Sequence, residues 1–415
     1  MKEKICNKEK PLLSILIPTR NRAEYLNYAI QSALNVRSDK IEIIVSENHS
    51  NDKSWEICNS FADSRLRICK PEKPLPMHEN WEFLLKQSSG EWVTFIGDDD
   101  AVLPHCFDHL LYLTNKYPHA EAIVSPRAYY FWDGCQKEYG LTSVSYSFST
   151  IEKWQDSKEK LDKTLSGEID YICLPQMYSG GFHRRSLINR VFRAQNGIYF
   201  KSVIPDAYAA LMASVHTYRY LETGVPMTWV GTSPHKMISS DKGKAKDRNA
   251  DFFDMHNEDT LTIHRALGSL HEATFPLYFF EAYISAFPTT SYTMLSKKKV
   301  EQLFLDAVHK LRKNGKDSVA LRLAEELGFE LPENDQPRRD ISKHIVVKFS
   351  YRIKNILLDV CNAIFSLKNN RLPVESDIIF AEYDSASHQD YPHILSCNSL
   401  VSKAYEVFVS KYQVY

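Results

Sequence analysis

The sequence predicts an α/β protein in which helices flank a mostly parallel sheet and a C-terminal helical region follows. Short apolar runs alternate with amphipathic stretches over roughly the first hundred residues. Polar residues follow several of these runs, and residues 250–330 have the apolar spacing of helices. Because strand–helix–strand crossovers are right-handed, this alternation gives parallel strands with helices covering the sheet.

In the first half, each strand is a short β-rich apolar run, and the helices repeat apolar residues three or four positions apart. Capping residues at 46–52 lead into the second helix, and Gly90 ends the third. The strands are predicted over 12–18, 41–45, 66–69, 92–96 and 122–125. The helices are predicted over 23–36, 53–62, 80–87, 104–117 and 151–165.

The second half is predicted to contain a small helical bundle whose segments are joined by short loops. Its helices lie at 256–267, 275–287, 298–313 and 318–327, and a linker follows at 332–337. A chain of 415 residues is too long for one ordinary core. We therefore predict three parts: an α/β domain over 1–240, the bundle over 241–335, and a C-terminal part over 336–415.

The composition of the chain argues against several classes of function. Hydrophobic residues make up 43% and charged residues 25% of the chain, which is ordinary for a globular protein. The formal net charge of −1 gives no field that would attract nucleic acid. The cysteines form no CxxC pairs, so neither a zinc site nor a disulfide framework is indicated, and a cytoplasmic location is expected. We also expect no signal peptide and no membrane-spanning stretch.

Three consecutive carboxylates, Asp98, Asp99 and Asp100, follow the strand predicted over 92–96. Neighbouring like charges disfavour ionisation unless a cation screens them, and carboxylate oxygens are the ligands that Mg²⁺ and Mn²⁺ prefer. In open α/β sheets, ligands bind just outside the carboxyl ends of the strands. One hypothesis is therefore a metal–diphosphate site. The alternative is an acidic turn that caps the helix after Pro104.

Two further loops carry polar residues to the same predicted edge of the sheet. They are 18–22 after the first strand and 46–52 after the second. A nucleotide is the usual occupant of such a cleft. Neither a GxGxxG nor a GxxxxGK[ST] motif occurs in this half, which argues against a classical dinucleotide fold and against a P-loop.

Three blocks of sequence resemble, in order and spacing, the family 2 glycosyltransferases of GT-A fold. They are Ser14-Ile-Leu-Ile-Pro-Thr-Arg-Asn-Arg22, Ile44-Val-Ser-Glu-Asn-His-Ser-Asn-Asp52 and Gly90-Glu-Trp-Val-Thr-Phe-Ile-Gly-Asp-Asp-Asp-Ala-Val-Leu-Pro104. Each block alone is weak evidence for the family, whereas three blocks in the right order, on the matching loops, are specific evidence. The resemblance covers about residues 11–240 and says little about the remainder.

The resemblance implies that the first two blocks bind the nucleotide. The residues implied in the first loop are Pro18, Thr19, Arg20 and Asn21. An aromatic residue is frequent in the family where Arg20 stands, and a guanidinium can stack similarly. Glu47 replaces the commoner Asp that hydrogen-bonds the base, and Asn48 follows it. The alternative for Glu47 is a carboxylate favoured by a helix N-terminus.

The third block covers the DxD motif of the family. Gly97 falls where the first Asp of the common pattern would be, so the resemblance implies that Asp99 or Asp100 binds Mn²⁺ or Mg²⁺. Asp98 and Asp99 are also expected to contact the donor. Family members often place a His near the diphosphate after a later strand, and His235 is the candidate, although lone histidines are usually structural.

Two later blocks are implied to border the donor sugar and the acceptor. The block at 178–187 contains Gly181, which would allow close backbone approach, and His183, which could meet phosphate or acceptor hydroxyls. A turn and a helix start explain this block equally well. Asp206 opens an apolar helix where the family has its general base, because an inverting transfer must deprotonate the acceptor hydroxyl. Its alternative role is a helix cap.

Residues 338–371 form a basic amphipathic stretch with eight Lys and Arg against two Asp. Such a helix can lie on an anionic membrane surface, here the inner face of the cell membrane. It can equally pack on the bundle with a solvated basic face.

These observations predict an inverting, metal-assisted glycosyltransferase. The expected partners are a nucleotide-sugar donor, with UDP as the expected nucleotide, and a hydroxyl on a glycan or lipid-linked glycan. The first alternative is a sugar-nucleotide nucleotidyltransferase, although the loop after the first strand lacks the Gly-rich sequence of that class. The second is a non-catalytic sugar- or nucleotide-binding protein of the same fold.

Overall fold

The computed structural model describes residues 10–135, 144–234, 275–286, 303–305, 307–309, 311–312, 317–331, 380–384 and 393–412. The strands are β1 (Leu13–Thr19), β2 (Ile41–Glu47), β3 (Leu66–Cys69), β4 (Trp92–Phe95), β5 (Ala101–Val102), β6 (Ala122–Val124), β7 (Ala128–Phe131), β8 (Val144–Phe148), β9 (Glu152–Asp156), β10 (Gly181–Arg184), β11 (Arg219–Thr223), β12 (Thr228–Thr232) and β13 (Phe380–Asp384). The helices are α1 (Ala23–Leu34), α2 (Ser54–Cys58), α3 (Met77–Gln87), α4 (Cys106–Lys116), α5 (Ser157–Leu165), α6 (Arg185–Ala194), α7 (Pro205–His216), α8 (Phe275–Ala286), α9 (Asp317–Leu327) and α10 (Asn398–Tyr412). Within these ranges, every helix is too short or too polar to cross a membrane.

The main sheet has eight strands in the order β3-β2-β1-β4-β10-β6-β11-β9. β3, β2, β1 and β4 are parallel, as the alternation of strands and helices predicts. β10 is antiparallel to both of its neighbours, whereas β6 and β11 are parallel. The predicted class, a mostly parallel sheet flanked by helices with a helical C-terminal region, is confirmed.

The order of these strands creates a crevice at the carboxyl ends of β1 and β4. The chain runs outward from β1 to β2 and β3 and then returns to the other side of β1 as β4. At such a switch point the loops after the two adjacent strands diverge and leave room for a ligand. The loops after Thr19 and Phe95, which carry residues 20–22 and 98–100, therefore meet there.

Alternation along the strands gives the main sheet two apolar faces. In β1, Ile15 and Ile17 belong to one buried core and Leu16 belongs to the other. Helices α1 and α4 cover the first face, and α3, α6 and α7 cover the second. Full burial of an aliphatic side chain of this size contributes about 1.5–3 kcal/mol, so the two cores stabilise the sheet that carries the crevice.

A second sheet lies beside the crevice, with five strands in the order β13-β8-β7-β12-β5. β5 begins directly after the Asp triplet and pairs with β12, so the triplet lies at the junction of the two sheets. β12 continues into Ser233. The second sheet thus supplies groups to the crevice that are more than a hundred residues away from the triplet in sequence.

The helix predicted over 151–165 is wrong in its first third. Glu152–Asp156 forms the edge strand β9, which pairs with β11, and α5 begins only at Ser157. Asp156 caps that helix by accepting a hydrogen bond from the Glu159 nitrogen at 2.8 Å. Trp154 is the sole large apolar residue of β9. The strand therefore lacks the alternating pattern by which strands are recognised.

The described C-terminal segments pack into the cores of the α/β part. α8 and α9 share a core with α7, and Tyr405 of α10 stacks on His105 with ring centroids 3.8 Å apart. Trp229 of β12 donates a hydrogen bond to Asn398 at 3.0 Å. The domain boundaries at 240 and 335 stay predictions. The helix predicted over 256–267 and the basic stretch 338–371 lie outside the described residues.

Candidate active site

Asp98, the first residue of the Asp triplet, bridges the crevice between β1 and β4. Thr19, the last residue of β1, donates its hydroxyl to Oδ2 of Asp98 at 2.9 Å. Nε of Arg22 donates to Oδ1 of the same carboxylate at 3.0 Å. Both oxygens of Asp98 therefore face the first loop. The sequence prediction that these two loops meet is confirmed for Thr19 and Asp98.

Arg22 pairs with two carboxylates at once. Its Nη2 lies 2.5 Å from Oδ2 of Asp99 and 2.8 Å from the hydroxyl of Ser233, and its guanidinium lies 4.8 Å from the ring centre of Tyr25. The side chains of Asp98 and Asp99 are 13% and 14% exposed. They are therefore within reach of a ligand that enters the crevice.

Asp100 holds the turn and does not face the crevice. Oδ2 accepts hydrogen bonds from the nitrogen of Gly97 at 2.8 Å and the hydroxyl of Ser179 at 2.5 Å, and Oδ1 accepts from the nitrogen of Gly231 at 2.8 Å. Burial, and then the charge of Asp99, raises the pKa of Asp100 to about 6. Asp100 is only 1% exposed, whereas the Asp98 and Asp99 side chains reach the crevice, so the structure does not favour Asp100 as a metal ligand.

A divalent cation fits the oxygen ligands that Asp98 and Asp99 present. Mg²⁺ usually takes one or two protein carboxylates and completes its shell with phosphate oxygens and water. Among the described residues, Oδ1 of Asp99 has no hydrogen-bond partner. No three His, Cys, Asp or Glu side chains in the described ranges converge as a metal site. The site thus offers two carboxylates rather than a complete protein cage, and the predicted ligand His235 lies outside the described residues.

The candidate base, Asp206, lies in the first turn of α7 within a polar cluster. Tyr171 donates its hydroxyl to Oδ2 of Asp206 at 2.9 Å. The guanidinium of Arg127 interacts electrostatically with the same carboxylate and donates to Gln176 at 2.7 Å. Burial raises the pKa of Asp206, while the Tyr171 hydrogen bond and the Arg127 charge oppose that shift. A carboxylate with a raised pKa is suited to accept a proton near neutral pH.

Tyr178 connects the two halves of the site. The segment 177–179 runs along the end of β4, where the Phe95 nitrogen donates to Met177 at 2.8 Å and the Ser179 nitrogen donates to Phe95 at 3.0 Å. The Tyr178 side chain interacts electrostatically with Asp100 and with Arg127. The Asp triplet and the cluster around Asp206 are thus linked through a single tyrosine.

The first loop is ordered by the tail of β2. The Arg20 guanidinium donates to the Asn48 carbonyl at 3.3 Å, and the Asn21 nitrogen donates to Ser50 at 2.9 Å. Asn21 has a φ of 54°, a left-handed conformation that asparagine tolerates better than most residues. The Asn48 side chain bonds both backbone groups of Leu75, at 2.7 and 2.8 Å. Asn48 therefore anchors the loop at 70–76. Pro18, near the end of β1, is half-buried.

Glu47 ends β2 with its carboxylate fully buried. Oε1 accepts a hydrogen bond from the Ser50 nitrogen at 2.6 Å, and Oε2 lies 3.1 Å from Nζ of Lys70. That distance is an ion pair without the directional geometry of a hydrogen bond. The Lys70 ammonium also lies 4.7 Å from the ring centre of Trp55. A contact between Glu47 and a nucleotide base stays a prediction, since in this structure Lys70 and Ser50 occupy its carboxylate.

The block at 178–187 contributes less to the site than its sequence suggested. His183 is completely buried in the sheet, and its ring nitrogens bond the Tyr199 hydroxyl at 3.1 Å and the Pro175 carbonyl at 3.0 Å. Gly181 is required because a Cβ would lie 2.1 Å from the Gln176 carbonyl oxygen. Neither residue faces the crevice, so their predicted donor contacts are corrected to roles in packing.

Part of the chain matches a known protein family. The sequence of residues 14–170 matches the family described as Glycosyl transferase family 2. Over this segment, the chain is similar to glycosyltransferase family 2. The resemblance seen in the three sequence blocks is therefore confirmed. The matched segment includes the Asp triplet, Arg22 and Arg127, and it ends before Tyr171 and Asp206.

Individual relatives also match part of the chain. An uncharacterised glycosyltransferase of Rickettsia typhi is 33% identical over 160 residues, which are 38% of this chain and 46% of the relative. The GalNAc(5)-diNAcBac-PP-undecaprenol beta-1,3-glucosyltransferase of Campylobacter jejuni is 35% identical over 165 residues, 38% of this chain and 50% of the relative. The chain thus spans about half the length of these curated relatives. The structure of S. aureus TarS in complex with UDP-GlcNAc aligns over 77% of this chain and 93% of that chain, with a TM-score of 0.44 and 14% identity.

Several residues of this site carry no local sequence signal of their role. Arg22 closes the first of the three blocks and Tyr178 opens the block at 178–187, and neither position indicates a role by itself. Arg127 and Tyr171 had no local signal, because a single Arg or Tyr in a loop is common. Ser233 joins the site only through the pairing of β12 with β5, which no local pattern indicates.

Substitution of Gly231 by alanine is expected to lower the free energy of unfolding by about 1–3 kcal/mol, as overpacking does. An added Cβ would lie 1.5 Å from the backbone oxygen of Asp99, so β12 and the Asp turn would have to separate. Urea unfolding measures the change. Trp132→Phe, which removes the 3.0 Å hydrogen bond to the same oxygen without adding atoms there, should cost less. Equal stability of Gly231→Ala and the wild type would contradict this role.

Proposed function

We propose that this protein transfers a sugar from a nucleotide-sugar donor to a hydroxyl of an acceptor glycan, with inversion at the anomeric carbon. The observation that carries this proposal is the arrangement of carboxylates. Asp98 and Asp99 lie at the switch point of the sheet, and Asp206 lies in a separate cluster linked to them through Tyr178. One group of carboxylates suits the charged end of the donor, and the other carboxylate suits the acceptor.

Asp206 supplies the base of this reaction. The acceptor oxygen forms a bond to the anomeric carbon while the bond from that carbon to the diphosphate oxygen breaks. The acceptor proton passes to Asp206, and the nucleoside diphosphate leaves with the bonding electrons. Tyr171 and Arg127 hold the Asp206 carboxylate in one orientation and favour its ionised form. A fixed carboxylate loses little entropy on reaching the transition state.

Asp98 and Asp99 would hold a divalent ion, Mn²⁺ or Mg²⁺, whose charge would neutralise the negative charge that builds on the leaving diphosphate. The loop of Thr19–Arg22 and the tail of β2 would enclose the nucleotide. Arg22, Thr19 and Ser233 orient the two carboxylates toward the crevice.

The proposed donor is a UDP-sugar and the proposed acceptor is a glycan, free or lipid-linked. The name of the Campylobacter jejuni relative describes a glucosyltransferase that acts on an undecaprenol-diphosphate-linked glycan. We extend that acceptor class to this chain, together with the cytoplasmic location that the free cysteines predict. Membrane contact through 338–371 stays a prediction.

The test is nucleotide release from a panel of UDP- and GDP-sugars with Mn²⁺, measured for the wild type, Asp99→Asn and Asp206→Asn. Slow donor hydrolysis does not need the acceptor, so the assay can identify the donor first. We expect metal-dependent release of a nucleoside diphosphate that Asp99→Asn abolishes. Release of pyrophosphate would favour the nucleotidyltransferase alternative. Donor binding without any release, even with candidate glycan acceptors, would favour a binding protein.

A further inference from the structure

Arg22 lies against the two carboxylates that would hold a divalent cation. It uses two different nitrogens, Nε toward Asp98 and Nη2 toward Asp99, and each contacts a carboxylate oxygen at 3.0 Å or less. A hydrogen bond between a guanidinium and a carboxylate occupies the oxygen lone pair that a metal would otherwise take. Of the four oxygens of Asp98 and Asp99, two face Arg22 and a third accepts from Thr19. The fourth is Oδ1 of Asp99.

The Arg22 side chain has no evident role in forming its own helix. Arg22 is the N-cap residue of α1, yet its side chain makes no capping hydrogen bond. Its backbone nitrogen bonds the Ser54 hydroxyl at 3.3 Å. The guanidinium instead points to the crevice, and the Arg22 side chain is 16% exposed. The ion pairs with Asp98 and Asp99 are therefore a property of the site and not of the helix start.

The charges explain why an arginine suits this position. Asp98 and Asp99 lie next to each other, and like charges at short distance repel unless a cation lies between them. Arg22 supplies one positive charge against two negative charges. A dication added while Arg22 keeps both contacts would bring two cations to the same oxygens. Retaining both cations on these atoms is electrostatically unfavourable.

We propose that Arg22 is a displaceable counter-cation that competes with the divalent ion for Asp98 and Asp99. This inference rests on the proposed function and extends it. In the free protein Arg22 holds the two carboxylates and keeps the affinity for metal low. A divalent ion binds both carboxylates only when Arg22 releases them, so metal and donor diphosphate bind together rather than metal alone.

The test is Mn²⁺ binding to the full chain without nucleotide, followed by the electron paramagnetic resonance signal of free Mn²⁺. Arg22→Gln removes the charge and keeps a hydrogen-bond donor, so we expect Mn²⁺ to bind roughly tenfold more tightly or better. Arg22→Lys, which keeps the charge, should remain close to the wild type. Arg184→Gln is the matched control. Arg184 also pairs with a carboxylate, Glu91 at 2.6 Å, and lies over an aromatic ring, but at the opposite end of β4.

The two proposals can fail separately in these experiments. Unchanged or weaker Mn²⁺ binding by a folded Arg22→Gln variant would overturn the counter-cation, whatever the activity assay shows. Should Arg22→Gln not fold, Arg22→Lys decides: tight Mn²⁺ binding by that variant would overturn the inference, and weak binding supports it. Tighter Mn²⁺ binding by Arg22→Gln with no turnover of any nucleotide-sugar would support the counter-cation and contradict the proposed transfer.

Discussion

The Asp206→Asn variant is expected to lose transfer activity by roughly a thousandfold, within the range that general-base catalysis supplies. Asparagine has nearly the same shape and can still accept the hydrogen bond of Tyr171, but it cannot take a proton from the acceptor hydroxyl. The loss should appear in kcat, while the affinity for the nucleotide-sugar stays close to that of the wild type. Steady-state kinetics and a donor titration separate these two quantities.

The same carboxylate should set the acidic limb of the pH profile. Burial raises the pKa of Asp206, so kcat/KM should fall with decreasing pH at a higher pH than an ordinary aspartate would give. Tyr171→Phe removes a hydrogen bond that favours the ionised form, and we expect it to move this limb further toward neutral pH. A purely structural role for Asp206 would leave the position of the limb unchanged in Tyr171→Phe.

Asp108 provides the matched control for the helix-cap alternative. It lies in the first turn of α4, as Asp206 lies in the first turn of α7, but its side chain is exposed. Asp108→Asn should retain full activity, since a carboxylate near a helix N-terminus contributes typically ~0.3–1 kcal/mol to stability and nothing to proton transfer. Equal kinetic losses in both variants would assign Asp206 to the helix and not to the chemistry.

The sequence was informative where structure is local. β1, β2, β3 and β4 are short apolar runs bounded by polar loops, and they lie within a few residues of the predicted positions. Their parallel order follows from the helices between them. β9 was missed because its burial comes from pairing with β11, which is more than sixty residues away in sequence. A local pattern carries no information about such a partner.

In the candidate site, too, contacts between predicted neighbouring loops could be expected from the sequence, and contacts with distant segments could not. Thr19 and Asp98 were expected at the same edge, and their hydrogen bond confirms it. The orientation of Asp100 could not be predicted, because the donors that capture it come from Ser179 and Gly231, on two distant segments. The predicted ligand contact of His183 was wrong for a related reason. A glycine block signals close backbone approach, but the approaching group is the protein's own Gln176 and not a ligand.

Another carboxylate, Glu281, is buried where the C-terminal helices meet the helix of the candidate base. It lies on α8 and is 1% exposed. The Ser202 hydroxyl donates to its Oε2, and the Ser285 hydroxyl donates to Oε1 at 2.7 Å. Ser202 precedes α7 by three residues. Glu281 therefore connects α8 to the chain that leads into Asp206, and burial raises the pKa of Glu281 to about 7.

The Glu281→Gln variant is expected to become more stable relative to the wild type as pH rises, by about 2–3 kcal/mol between pH 5 and pH 8. The folded-state pKa of about 7 lies above the ordinary value of 4.5, so the folded protein binds the proton more tightly than the unfolded chain. The stability from this group is complete below pH 4.5 and is lost as pH rises through 7. Glutamine keeps the two serine contacts and never ionises, so it removes this loss. Urea unfolding at both pH values measures the difference, and Glu325→Gln, an exposed change on α9, is the control for the loss of one acidic side chain. A pH-independent difference between Glu281→Gln and the wild type would mean that Glu281 titrates alike in the folded and unfolded states.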